Sequence, residues 1–387
     1  MRNVIKSFVE FFVSLKLTVV LLALSALMVF FATLDQTQLG VWGIQHKWFQ
    51  SLIVLQNIKG LPIPIFPGGY FLGGLLLINL VSAHIYRFKL SWKKSGIFIT
   101  HAGLIVLLVG ELLSGVVQRE STMKLDEGDT KNYSESTHYN ELAIIDATDP
   151  EFDNVVAIPD ALLTNDASLQ YAKLPFRVVV KAFYPNAFLQ MRNQVPNAPD
   201  SLATMGVGTQ VVATPMPLTY KENEANEPAA FIELIGREGP LGTYLVSTQL
   251  RPQSFELEGK NWQLVFRPER YYTHYTVTLE KFSHDRYAGT DIAKNFSSKV
   301  RLQTDDGHTD REVLIYMNNP LRFDGLTYYQ ASFDPSNEHN TVLQVVKNPS
   351  WILPYVACAM LFTGLIIQFG ISLIAFASKR RRQNAHA

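Results

Sequence analysis

Cysteine is nearly absent from this chain of 387 residues, and Cys358 is the sole example. One thiol excludes an intramolecular disulfide, a CxxC redox pair and a cysteine-based zinc or iron–sulfur site. No CxxCH occurs, so the chain is not itself a c-type cytochrome. Net charge is equally scarce: 34 Lys and Arg balance 34 Asp and Glu. That balance excludes a bulk electrostatic nucleic-acid binder. GxSxG, HExxH, P-loop and GxGxxG motifs are missing as well. Only 18% of the residues are charged against 47% hydrophobic, and the apolar ones are concentrated in a few runs.

Four of those runs reach the roughly 20 apolar residues that a helix needs to cross a bilayer. They are Leu17–Leu34, Gly69–Tyr86, Gly96–Val117 and Ile352–Ala377. The first is too long for a cleavable signal, and no small-x-small site follows it, so it reads as a retained span. Basic clusters set the direction. Arg2, Lys6 and Lys16 precede the first run. Arg87, Lys89, Lys93 and Lys94 fill the link between the second and third, and Lys379–Arg382 follow the fourth. With four crossings, all three clusters share one side. The expectation is therefore a multi-pass protein of the cytoplasmic (inner) membrane, with both termini cytoplasmic and residues 118–351 extracytoplasmic.

The domain reading follows. Residues 1–117 form a membrane region with three spans (17–34, 69–86 and 96–117). Between the first two, Val41, Ile44, Trp48, Leu52 and Leu55 recur at helical spacing, which predicts a helix over 41–58. It lies either in the outer interface or under the soluble domain. Residues 118–348 alternate short β-branched runs with turn residues, which predicts a β-rich domain, an antiparallel sandwich or split barrel. Within it, 186–228 is poor in pattern and reads as a long loop or insertion. Residues 349–387 hold the last span (352–377) and a basic tail. The fold class is thus membrane α-helical, three helices plus one, around a large β domain. The histidines of that domain, His138, His274, His284, His308 and His339, show no metal spacing. Its Tyr271–Tyr275 cluster reads as packing.

An ionisable side chain inside lipid is costly unless paired, so the few such groups are candidates for function. His101 lies about 8 Å along the third span from its cytoplasmic start. His84 lies three residues before Arg87 at the same end of the second. The short link makes these helices antiparallel neighbours and puts both rings in one half of the bilayer. Burial disfavours imidazolium and leaves His101 a lone pair. That lone pair can ligate haem iron, relay a proton or bond a neighbouring helix, and the residues alone leave all three open. His84 could instead snorkel to the interface, and Arg87 could meet a haem propionate. Glu111, Asn79, Ser82 and Gln368 are further polar groups in the spans. The small residues Gly103 and Gly110 allow close approach of a helix or a flat cofactor.

The order of elements resembles the ResB (CcsB) family of System II cytochrome c maturation. FFVSLKLTVVLLALSALMVFFATL resembles that family's first span. FPGGYFLGGLLLINLVSAHIYRFKLSWKKSGIFITHAGLIVLLVGELLSG resembles its second and third, and EGDTKNYSE the start of its outer domain. MNNPLRFDGLTYYQASFDPS, running on into VVKNPSWILPYVACAMLFTGLIIQFG, resembles its closing hairpin and last span. Residues 186–300 carry no such likeness. The resemblance implies a subunit that works with a multi-span ResC (CcsA) partner bearing a tryptophan-rich haem motif. It implies transfer of haem b across the membrane for attachment to the CxxCH thiols of an apocytochrome c. It also implies that the histidine of ITHAG, His101, is a haem-iron ligand, with His84 second choice. The tryptophan-rich motif is missing here and the chain closes soon after KRRR, so it is expected to be non-catalytic alone, one component of a haem lyase complex. The rival readings are a b-type electron-transfer subunit held by His84 and His101, and a cofactor-free scaffold.

Overall fold

A computed structural model describes residues 9–58, 60–87, 91–219, 226–286, 293–334, 337 and 339–384. Arg2, Lys6 and Lys89 of the basic clusters lie outside them. The chain divides into two compact units. One combines the segments up to Arg119 and from Lys347 onward, and the other covers most of 120–346.

Among the described residues, the first unit holds four helices long and apolar enough to cross a membrane. They are α1 (Leu15–Ile44), α2 (Gly69–Ser82, continued by a π-helical turn Ala83–Arg87), α3 (Ser95–Val117) and α4 (Leu353–Asn384). Glycine dictates how α3 meets α4. A Cβ at Gly96 would stand 2.5 Å from the Gln368 backbone nitrogen, and one at Gly364 would stand 2.7 Å from the Thr100 nitrogen. Gly96, Gly103 and Gly110 recur every seven residues, so they form one stripe along α3. All three point at α4. The two backbones therefore touch, as small residues permit. Gln368 adds a bond by accepting from the Ile97 N–H at 3.3 Å.

The segment between α1 and α2 departs from the helix predicted over 41–58. Past a kink at Gly40, where φ is 63°, the helix ends in a π-helical turn at Gln45–Phe49. A hairpin then pairs Ile53–Ile58 with Leu61–Pro67. Pro62, Pro64 and Pro67 cannot continue a helix. Ile53, Val54 and Ile58 favour strand. Asp35 holds the return, because its carboxylate accepts from Lys47 Nζ at 2.7 Å and from the indole of buried Trp48 at 2.9 Å.

The second unit is built on two long strands, Thr130–Asp146 and Lys260–Arg286, paired antiparallel. They lie at the middle of a ten-stranded sheet. A four-stranded sheet runs Gly239–Ser247, Ala229–Gly236, Arg177–Tyr184, Ser168–Leu169. One core lies between Leu142, Ile144, Trp262 and Leu264 of the large sheet and Val178, Val180, Ile232 and Leu234 of the small one. A second core forms farther along the same long strands, around Tyr275, Val277, Leu279, Val300, Ile315 and Tyr328. The segment read as an insertion carries a short hairpin, Ala187–Met191 with Val211–Pro215. It covers the other face of the small sheet. In Ala229–Gly236, Ala230, Ile232 and Leu234 enter the first core, while Ala229 and Phe231 face the hairpin. Alternation is thus lost in that strand because both faces are buried.

The hydroxyls of Tyr275 and Tyr328, both buried, meet at 2.8 Å. Burial pushes the Tyr328 hydroxyl far above the ordinary tyrosine range, and Tyr275 beside it adds to the shift. A raised folded-state value means that stability is intact below about pH 10, the unfolded value, and is lost as pH rises beyond it. Tyr328→Phe should cost about 1–3 kcal/mol by stranding one hydroxyl, whereas the Tyr275→Phe/Tyr328→Phe pair should cost less than the sum of the singles. Chemical unfolding of the three variants at pH 8 and pH 11 measures both, and the double variant should lose less stability between those pH values than wild type.

Candidate functional site

Two antiparallel helices joined by a short link bring together residues equidistant from its centre. His84 and His101 are such a pair about position 92.5, and so are Tyr70 and Gly115. Both pairs meet. The His84 and His101 ring centres are 6.0 Å apart, with planes tilted by 56°. A Cβ on Gly115 would stand 2.7 Å from the Tyr70 hydroxyl. The same register therefore holds over about 21 Å of α2.

His84 sits in the π-helical turn that ends α2. Such turns are frequent where a side chain is re-aimed for function. Its two ring nitrogens are buried, and its ring lies 4.4 Å from that of Phe98. His101 is half-buried. At about 100° per residue it lies roughly 140–180° around α3 from the three stripe glycines, so it faces away from α4. Two imidazoles bound to one metal at about 2 Å per bond have ring centres roughly 5 Å apart at a tetrahedral angle and about 6.3 Å apart on opposite sides of the metal. The observed spacing fits a shared metal centre, so these two residues could hold a haem iron. Phe98 supplies an apolar wall on one side. Among the described residues no group of three or more His, Cys, Asp or Glu could hold a metal ion. The arrangement is therefore a two-histidine one.

The other polar residues of the helices have different work. Asn79 is buried and donates to the carbonyls of Phe12 and Ser14 at 2.7 and 3.2 Å, and it accepts from Thr18 Oγ1 at 2.6 Å. It thereby satisfies the backbone opened just before α1, which an apolar environment demands. Gln368 serves the α3–α4 contact. The backbone of Arg87 closes the π-helical turn, but its side chain lies outside what is described. The open apolar groove lined by Ile99, Val356, Ala359, Met360 and Thr363 does not include the histidines. The Asp35–Lys47–Trp48 network was not foreseen from sequence. Its signal would have been an acid at the end of an apolar run facing a Lys-Trp pair one hairpin away.

In the β-rich unit, Arg267 donates to Glu141 at 2.9 Å, both buried. Arg270 donates to Glu135 at 3.0 Å and stacks 4.1 Å over the Tyr133 ring. These pairs tie the two long strands where their register slips between Pro268 and Arg270. Of the tyrosine-rich stretch, Tyr275 is packing, fully buried in the second core. Tyr272 remains more than half exposed there.

The ResB-like family matches residues 253–342. That range runs from Gln253–Leu257 to the last strand of the unit, and it includes 253–300, where the sequence reading found no likeness. Protein NrfI of Wolinella succinogenes is 21% identical over 325 residues, which cover 83% of this chain. The chain spans 30% of that relative's length.

The register can be measured. In a Cys358→Ala background, His84→Cys with His101→Cys should be joined by a short bifunctional thiol reagent. His84→Cys with Glu111→Cys should not, since the two are offset by about 15 Å along the hairpin. The readout is retention of the halves on one gel band after cleavage in the 88–94 link.

Proposed function

As a member of the ResB-like family, this chain is, we propose, a membrane subunit of cytochrome c maturation that helps carry haem b outward for attachment to apocytochrome CxxCH motifs. The four apolar helices cross the bilayer, with the basic clusters on the cytoplasmic side and the β-rich unit on the outer side. The observation that carries the reading is the meeting of His84 and His101 at 6.0 Å, on a hairpin whose register makes it unavoidable.

The neutral imidazole nitrogen of His101 would hold haem iron, and His84 is placed to supply a second nitrogen or to yield that position to a partner's histidine. Phe98 shields the pair from one side and excludes water there. The glycine stripe, already filled by α4, keeps α3 from rolling, so His101 stays turned toward α2. Haem is the cargo in this reading, and its vinyl groups are what the apocytochrome thiols take up. The partner is a multi-span ResC/CcsA-type protein, and the β-rich unit docks on it and on the client.

A second reading has its own support. Two histidines on two helices of one chain suffice for a resident b-type haem, which would make the protein an electron-transfer subunit. Optical spectra separate the two. In the complex purified with its partner, His101→Ala should lose most of the co-purifying haem and cytochrome c maturation should fall, with partial recovery in added imidazole. Unchanged haem content and maturation would overturn the assignment. A stable haem spectrum in the wild-type chain purified alone would favour the second reading.

A further inference from the structure

The hairpin Ile53–Ile58/Leu61–Pro67 is mostly apolar on both faces, with Gln56, which accepts from Lys47, and Asn57 as its polar side chains. Val54 is fully buried against the helices, in a cluster with Trp48 and Leu72 that Phe66 joins from its edge. The rest turns outward: Ile53, Leu55, Ile58, Leu61, Ile63 and Ile65 are 41–67% exposed. No charged residue occurs in either strand. A two-stranded hairpin is marginal in water, and a contiguous apolar surface of this kind marks something that covers it.

The backbone indicates what the cover is. The turn has two residues, so Ile58 and Leu61 form the closing hydrogen-bonded pair, and alternate pairs are bonded back along the ladder. Pro62 pairs with Asn57 and Pro64 with Leu55. Both prolines thus occupy positions whose N–H would point away from the hairpin. The free edge of the second strand presents carbonyls there but no donors. A further β-strand, which needs donors and acceptors in turn, cannot pair along it. Carbonyls alone can be hydrated at a lipid headgroup boundary, whereas a dry hydrocarbon core would leave them unsatisfied.

Position agrees. One residue, Gly68, separates the hairpin from α2, and its N–H donates to the Leu52 carbonyl at 2.9 Å while Tyr70 N–H donates to that of Ser51 at 3.2 Å. The hairpin is therefore level with the start of α2. Phe31, Trp48 and Phe66 gather at that level, as aromatic side chains do at a membrane interface. We propose that the hairpin docks on the lipid surface, its aliphatic side chains sunk into the headgroup–acyl boundary of the outer leaflet. The proposal rests on α1 and α2 crossing the membrane, and a control separates the two claims.

The test uses the full chain in nanodiscs, in a Cys358→Ala background. Leu61→Cys and Ile65→Cys each carry a small fluorophore, with Phe362→Cys on α4 and Asp129→Cys in a β-turn as references. Phospholipids bearing a nitroxide near the headgroup should quench both hairpin probes severalfold more than the Asp129 probe, and aqueous iodide should quench them less. Quenching at Phe362 with none at either hairpin position would overturn the lipid contact and leave the crossing helices intact. Quenching at none of the three would overturn both. Hairpin probes shielded from iodide but not reached by lipid nitroxide would mean a protein cover, and would also overturn the proposal.

Discussion

The antiparallel register of α2 on α3 is the constraint from which the helical unit follows. Once the link fixes which residues share a level, His84 must face His101 and Tyr70 must reach Gly115. Helix α3 then has two committed sides. One is its glycine stripe, closed against α4 by backbone contact, and the other carries the imidazole toward α2. A helix packed on both flanks cannot rotate without driving a Cβ or a ring into a neighbour's main chain. The orientation of the His101 imidazole thus depends on residues that lie on the far side of its helix.

The β-rich unit depends in a comparable way on two strands. Thr130–Asp146 and Lys260–Arg286 are long enough to serve both cores, and the slip in their register lets one ribbon turn from the first core to the second. The Arg267–Glu141 and Arg270–Glu135 pairs sit at that slip, where ladder hydrogen bonds are interrupted. Buried ion pairs contribute little net stability against apolar replacements, but removing one partner is costly. Their value here is to fix where the ribbon bends. The family likeness lies over 253–342, which begins just before the second of these strands and takes in all of it.

The four helices were legible because their signal is length and apolarity, which tertiary context does not change. His84 and His101 were legible for a related reason, since the span ends and the short link already determine their depth. The segment 41–58 was not. Val41, Ile44, Trp48, Leu52 and Leu55 match a helical period, yet only the first three are helical. What decided the rest was the strand Leu61–Pro67 beyond the predicted helix, which Pro62, Pro64 and Pro67 keep from being helical and which pairs with 53–58 as a ladder instead. Within 186–228 the run Gln210–Ala213 already reads as a strand, but its partner Ala187–Met191 does not, because a strand covering a second sheet face needs only a few small apolar residues, such as Ala187. The role of Asp35 was hidden as well, since its two partners come close only after the chain has reversed at Gly40.

The contact of α3 with α4 joins segments separated by more than two hundred residues, from Val117 to Leu353. A ribosome adding 5–20 residues per second takes roughly 10–50 s to traverse that distance. For that interval the nascent chain displays Gly96, Gly103 and Gly110 with no match yet synthesised. The last helix therefore acts as a clasp that closes after the β-rich unit has been made, and a chain truncated before it would leave a groove shaped for a helix permanently open.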